Sequence, residues 1–267
     1  MHKVKELLVI LLIVIGSMAL VFLNFEDEKS IKGKIRIGVS DDTSGFVINY
    51  MINKNYFEDV KINEIMESYS ISDCWASSMQ WALSSEEIDM AIICKEAARE
   101  FIKYDNNFEI VCPLIQNSDV FLFKEEYPKK IGITQNRNYQ YELIKRYYKD
   151  SEIVPLIGSS LAYALESKLV EGVVIDSMRA IALEGKKIPT TTLGDYDTYV
   201  LIVNKKFKGN DAYDEFISLY NQSVEELKSN NNFKKALKEY KNIDISNKDL
   251  EEIKSWKLKF LQIENLK

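Results

Sequence analysis

The chain carries one stretch of sequence twice. Asp73–Cys94 reads DCWASSMQWALSSEEIDMAIIC, and its Ser77–Cys94 portion lies over Ser159–Asp176, SSLAYALESKLVEGVVID, with no gap. Ser77 meets Ser159, Ala82 meets Ala164, Leu83 meets Leu165, Ile92 and Ile93 meet Val174 and Ile175, and Cys94 meets Asp176. Each copy reads as a helix followed by a near-continuous apolar run of strand length, the pattern of a strand covered on both faces. Self-similarity with only two copies predicts a pair of lobes built on one plan and not a solenoid. Two α/β lobes facing each other enclose a cleft, and ligands of such sheets sit at the carboxyl ends of the strands. Cys94 and Asp176 are then matched positions on opposite walls. Trp81 and Tyr163 share one helical position in the two copies, which predicts core packing for both.

A weaker echo opens each lobe: Arg36–Ser40, RIGVS, against Lys130–Thr134, KIGIT. The first strand, Lys34–Val39, runs into Ser40-Asp41-Asp42-Thr43-Ser44-Gly45, a turn of helix-capping residue types ahead of a helix over Phe46–Lys54. Free backbone N–H groups at such a helix start suit an anion or polar ligand, which makes Ser40, Asp41, Thr43 and Ser44 candidate contacts. The same residues equally suit a plain helix cap. Next come a strand over Val60–Ile65, a helix over Cys74–Ser84 capped by Asp73, a strand over Ile88–Cys94 and a helix over Glu96–Lys103. Phe108–Leu114 and Asp119–Lys124 read as strands, the second as a crossing between lobes. The second lobe repeats the plan through the helix Asn138–Tyr148, the strand Ile153–Leu156, the helix Ser159–Ser167, the strand Val170–Asp176 and the helix Ser177–Leu183. Tyr199–Asn204 returns to the first lobe. The tail is helical over Asp211–Lys228, Phe233–Tyr240 and Asn247–Ile263. The expected division is residues 1–28 as a membrane segment, 29–120 with 196–267 as lobe 1, and 121–195 as lobe 2.

Several functions are disfavoured by composition. The only histidine is His2, so His-based triads, His general bases and His-rich zinc sites have no residue to use in the folded body. A net charge of −6 with no basic stripe argues against a nucleic-acid partner. The run Leu7–Phe25, behind Lys3 and Lys5 and ahead of the acidic Glu26-Asp27-Glu28, is apolar enough to span a hydrocarbon core of about 30 Å. Its charge asymmetry places the body outside the cytoplasm, with the segment an uncleaved anchor or a signal peptide; no small-x-small cleavage site follows it.

The order KIRIGVSDDTSG, IDMAIIC, KKIGITQNRNYQYELIKRYY, VEGVVID and YVLIVNKKF, over about Lys34–Tyr240, resembles the solute-binding subunit of an ABC importer. That resemblance implies an α/β, two-lobed periplasmic-binding-protein-like fold of type II, each lobe a mixed sheet flanked by helices. It implies a membrane-anchored, extracytoplasmic, monomeric protein without catalysis or cofactor, which takes a small solute between its lobes and hands it to permease and ATPase subunits. The nitrate, sulfonate and thiamine-precursor group is similar, and so is a clostridial set for selenocysteine-assisted organometal transport. The segment carrying the latter is DCWASS…IDMAIIC, and Trp75, beside Cys74, is where that likeness directs a search for a misassigned UGA codon.

Three readings of Cys74, Cys94 and Cys112 remain open: small buried hydrophobes, a Cys74–Cys94 disulfide, or cleft thiols that take a soft metal or organometal. The third rests on Cys74 at a helix N-terminus, Cys94 at a strand end and the preference of thiolates for soft centres. Asp176 and Thr134 of the second lobe would then complete the site on closure. The alternatives are a binder of a small organic anion with structural cysteines, an enzyme on the same fold, and a sensor ectodomain. No catalytic motif favours the enzyme, and the six residues before the apolar run leave no room for an output domain on a sensor.

Overall fold

The computed structural model describes residues 35–56 and 88–264. Among these, ten strands form two five-stranded sheets. The first contains β1 (Ile37–Gly38), β2 (Met90–Cys94), β3 (Phe108–Gln116), β9 (Asp197–Asn204) and β10 (Lys259–Phe260), in the order β1-β2-β9-β3-β10. The second contains β4 (Asp119–Phe123), β5 (Lys130–Thr134), β6 (Glu152–Leu156), β7 (Gly172–Asp176) and β8 (Lys186–Pro189), in the order β6-β5-β7-β4-β8. Helices α1 (Thr43–Asn53), α2 (Lys95–Tyr104), α3 (Asn138–Tyr147), α4 (Leu161–Glu166), α5 (Ser177–Ala180), α6 (Asp211–Glu226), α7 (Asn230–Lys241) and α8 (Asn247–Ser255) accompany them. The result is the expected mixed α/β architecture of two sheets with flanking helices. No described helix is long and apolar enough to cross a membrane. The segment Leu7–Phe25, the strand Val60–Ile65 and the helix Cys74–Ser84 with its Asp73 cap lie outside the described residues.

The internal repeat holds at the level of register. β1 and β2 are parallel with Ile37 opposite Met90, and β5 and β7 are parallel with Ile131 opposite Gly172. Ile37 matches Ile131 and Met90 matches Gly172 in the two sequence overlays, so both sheets repeat the same pairing. Each repeated strand then pairs antiparallel with a strand from elsewhere: Cys94 faces Tyr199 on β9, and Asp176 faces Asp119 on β4. Both β2 and β7 are buried throughout.

The chain passes between the sheets at Asn117–Ser118 and again just before β9. These passages are tied together. Asn117 donates its N–H to the Tyr196 carbonyl (3.0 Å), and its Oδ1 accepts the Tyr196 N–H (2.9 Å). Its Nδ2 donates to the Lys257 carbonyl (3.0 Å). The crossing is therefore Asn117–Ser118, and Asp119–Phe123 lies wholly within the second sheet. Asn117 has φ of 58°, a left-handed conformation that asparagine adopts more readily than most residues.

The core behind β1 and α1 is aromatic. Phe46 packs against Phe233 (5.3 Å between ring centroids), Phe260 (5.4 Å) and Tyr240 (5.8 Å), joining α1, β10 and α7. Burying such a ring contributes about 1.5–3 kcal/mol. The long tail helix is shorter than the pattern implies. It ends at Ser255; Trp256 is buried, and Lys257 takes φ of 60°. The chain then turns to lay Lys259–Phe260 along β3, so edge pairing and the Trp256 anchor outweigh continued helix. Ser177–Leu183 shrinks to a single helical turn, and Tyr163 is exposed, not in the core, because α4 is short and turns that face to solvent. α1 begins at Thr43, ahead of the expected Phe46, because Asp42 caps it.

Candidate functional site

Cys94 and Asp176 each end a repeated strand and each occupy the N-cap position of the next helix, α2 and α5. The sequence overlay placed them as equivalents, and the structure makes them so. Asp176 lies where the two sheets meet. Its Oδ1 accepts the Thr43 N–H (3.1 Å), the Thr43 hydroxyl (2.9 Å) and the N–H of Met178 in its own helix (3.0 Å). Its Oδ2 accepts the Tyr199 hydroxyl (3.3 Å). Thr43 Oγ1 also lies 3.2 Å from the Ser177 hydroxyl. Cys94, opposite Tyr199 in the ladder, is buried on the first-sheet side of this junction.

Two guanidinium groups complete the junction. Arg179 Nη2 lies 2.6 Å from Asp41 Oδ1 and 4.0 Å from Asp42 Oδ2, bridging α5 to the loop before α1. Arg137, at the N-cap of α3, is buried with Asp119 (3.2 Å) and donates Nη2 to the Tyr199 hydroxyl (3.2 Å). Asp119 also accepts from the Tyr139 hydroxyl and from Gln140 Nε2. A buried charge costs several kcal/mol unless it is paired, and each of these buried carboxylates has an arginine or several donors.

The electrostatics separate two neighbouring carboxyls. Burial, then the nearby Asp42 and Asp119, pushes Asp176 up to about 7. Burial also acts to raise Asp42, but Arg179 and the Ser44 hydrogen bonds overcome it and hold the group below the usual carboxylate range. Arg179 is held more firmly protonated than an ordinary arginine: burial opposes its charge, and Asp42, Asp41 and Asp176 more than offset that.

The other sequence candidates fall in distinct places. Ser44 closes the loop locally, donating its hydroxyl to Asp42 Oδ1 (2.7 Å) and accepting the Ser40 N–H (3.0 Å). The Ser40 carbonyl accepts from the Tyr240 hydroxyl (3.1 Å). Asp41 is at the exposed rim. Thr134 ends β5 half-buried; its N–H donates to Gln140 Oε1 (2.8 Å), and its side chain lies against Gly158. Cys74 and Trp75 lie outside the described residues. Cys112 sits away from the junction on β3, within electrostatic reach of Tyr213 and Tyr220 on α6; burial and Glu264 push its thiol up to about 11, so it packs as a neutral thiol. Among the described residues no group of His, Cys, Asp and Glu is arranged to hold a metal ion. Asp119, Arg137, Arg179 and Tyr199 were not singled out from sequence. The available signal was their place in the repeat: Arg137 follows β5 as Thr43 follows β1, and Tyr199 and Asp119 face the paired strand ends.

The ligand-binding component of an ABC-type import system from Staphylococcus aureus, solved with zinc bound, superposes with a TM-score of 0.66 over 87% of this chain and 86% of that one, at 15% identity. The chain has the fold of an ABC-importer solute-binding protein. The alkanesulfonate-binding protein SsuA of Xanthomonas axonopodis pv. citri, bound to MOPS, superposes with a TM-score of 0.57 at 12% identity, covering 84% of each chain. The periplasmic aliphatic sulphonate binding protein SsuA of Escherichia coli gives 0.56 at 10% identity over 83% of this chain and 82% of its own. No family model and no curated protein matches the sequence.

Proposed function

We propose that this protein is the extracytoplasmic solute-binding component of an ABC importer, anchored by Leu7–Phe25 and monomeric, with lobe 1 formed by residues 29–120 and 196–267 and lobe 2 by 121–195. It takes a small solute where the two sheets meet. The observation that carries this reading is the junction itself: matched strand ends, Cys94 with Tyr199 and Asp176 with Asp119, converge from two sheets of one plan. Solute-binding folds use that place.

The finer reading is a soft metal or organometal held by the thiolates of Cys74 and Cys94. Cys94 supports it by standing at the N-cap of the ten-residue helix α2, whose partial positive charge favours a thiolate. The organic-anion reading has less to stand on, because Arg137 and Arg179 already pair with Asp119 and with Asp41 and Asp42. Native mass spectrometry of the reduced protein, titrated with methylmercury, mercuric ion and a sulfonate panel, tests both. A stoichiometric mercurial adduct lost in the Cys74→Ser, Cys94→Ser double variant is the expected result. Retention of that adduct on Cys112 alone removes the thiol site, and sulfonate binding in its place selects the anion reading.

A further inference from the structure

Asp176 meets α1 at its first residue. Thr43 is the first residue of α1, and a helix leaves its first N–H groups without intrahelical partners. Asp42 accepts the Ser44 N–H (2.9 Å), whereas the Thr43 N–H is taken by a carboxylate from the other sheet. Both residues are buried, and a hydrogen bond in a low-dielectric interior is electrostatically stronger than one in water. Asp176 is also aimed in advance. Its hydrogen bond to Met178 N as the cap of α5 fixes the carboxylate, so engaging Thr43 costs little further side-chain entropy. The Arg179–Asp41 pair lies beside it at the rim.

We propose that Asp176 and Thr43 form a built-in latch between the two sheets: the Asp176 carboxyl occupies the amide and hydroxyl that open α1, and this contact holds the cleft shut. A solute then has to wait for the latch to release, and the apparent affinity is reduced by the fraction of molecules that are closed. The latch stands on the hydrogen bonds themselves; only its effect on loading rests on the solute-binding reading.

Two substitutions open it from opposite sides with the local fold preserved. Asp176→Ser keeps a good N-cap for α5 but removes the carboxylate. Thr43→Pro removes both the N–H and the hydroxyl at a first-turn position where proline is favoured, and Asp42 before it is already extended (φ −108°, ψ −159°), as a residue preceding proline must be. The test is single-molecule energy transfer in the full chain without added solute, with dyes on unnatural residues replacing Tyr104 and Tyr127, which are 82% and 83% exposed. The wild type should show a dominant short-distance population. Each variant should shift molecules to the long-distance state, and the double variant should go no further than the stronger single one. A wild type already open, or a folded Thr43→Pro protein with the wild-type distribution, overturns the latch. Should Asp176→Ser not fold, Thr43→Pro decides alone. A failed solute screen leaves this measurement untouched, so the two readings fail separately.

Discussion

The loops that follow β1 and β5 start from equivalent strands and end in different chemistry. In both, an N–H where the chain leaves the strand needs an acceptor. Ser40 finds it in the Ser44 hydroxyl, and its counterpart Thr134 finds it in Gln140 Oε1. The first loop caps its helix with Asp42; the second has Arg137 at the cap position with no side-chain cap bond, and Asn136 before it takes φ of 64°. Gly45, in the first turn of α1, corresponds to Tyr139 in the first turn of α3. The glycine leaves room for Tyr240 to approach from α7, whereas Tyr139 reaches Asp119 with its own hydroxyl. The repeat thus conserves a backbone requirement and not the side chain that meets it. Because the solutions differ, one loop presents donors to Asp176 while the other presents a cation to Tyr199. Two identical loops could not have complemented each other in this way.

That comparison can be broken most severely at Arg137. Arg137→Leu leaves Asp119 buried without its guanidinium, and uncompensated buried charge costs about 3–5 kcal/mol. Urea denaturation should show that loss, and Asp119→Asn in the same chain should recover part of it. No recovery would mean that Arg137 acts through packing alone. Asp176 gives the next effect, read as a slope. Its carboxyl titrates near 7 in the fold and near 3.8 when unfolded, so between those values the folded chain holds a proton that the unfolded chain has lost. Stability contributed by this group therefore falls as pH rises from about 4 to about 7. The melting temperature of Asp176→Asn should gain on the wild type across that window and run parallel to it on either side. Parallel curves throughout would put Asp176 at an ordinary carboxylate value. The mildest change is Gly45→Ala. Its Cβ would stand 2.4 Å from the Ser40 carbonyl oxygen and 2.6 Å from the Tyr240 hydroxyl, so an overpacking cost of about 1–3 kcal/mol is expected from thermal denaturation. Tyr240→Phe in the same chain should relieve part of it if the hydroxyl is the obstacle.

Much of the scaffold was legible because it is periodic and local. The apolar runs around Ile92 and Val174 announced two buried strands, and their overlay foretold that Cys94 and Asp176 would end them. The chemistry between the sheets was less legible. Arg137 looked like one residue of a polar turn, and Tyr199 like one aromatic of an apolar strand; each acquires its partner only when distant segments meet, as Tyr199 does with Asp176. Tyr240, on a tail helix, reaches Ser40 and Asp42 across 200 and 198 residues of sequence. The helix predicted to run to Ile263 failed for the same reason. Its pattern continues, but Trp256 and the open edge of β3 offer burial and ladder bonds that no window of sequence displays.

The place of β9 between β2 and β3 has a consequence for how the chain is made. Strands β4 to β8 are contiguous, and all of them have been synthesised by Pro189. β2 and β3 do not pair with each other; both wait for Asp197–Asn204 to enter between them. As the polypeptide emerges from N- to C-terminus, the second sheet has all its strands while the first still lacks its middle one. The half that begins first is the half that finishes last. Until then it carries two apolar strands with open edges, a period in which a holding chaperone would have most to protect.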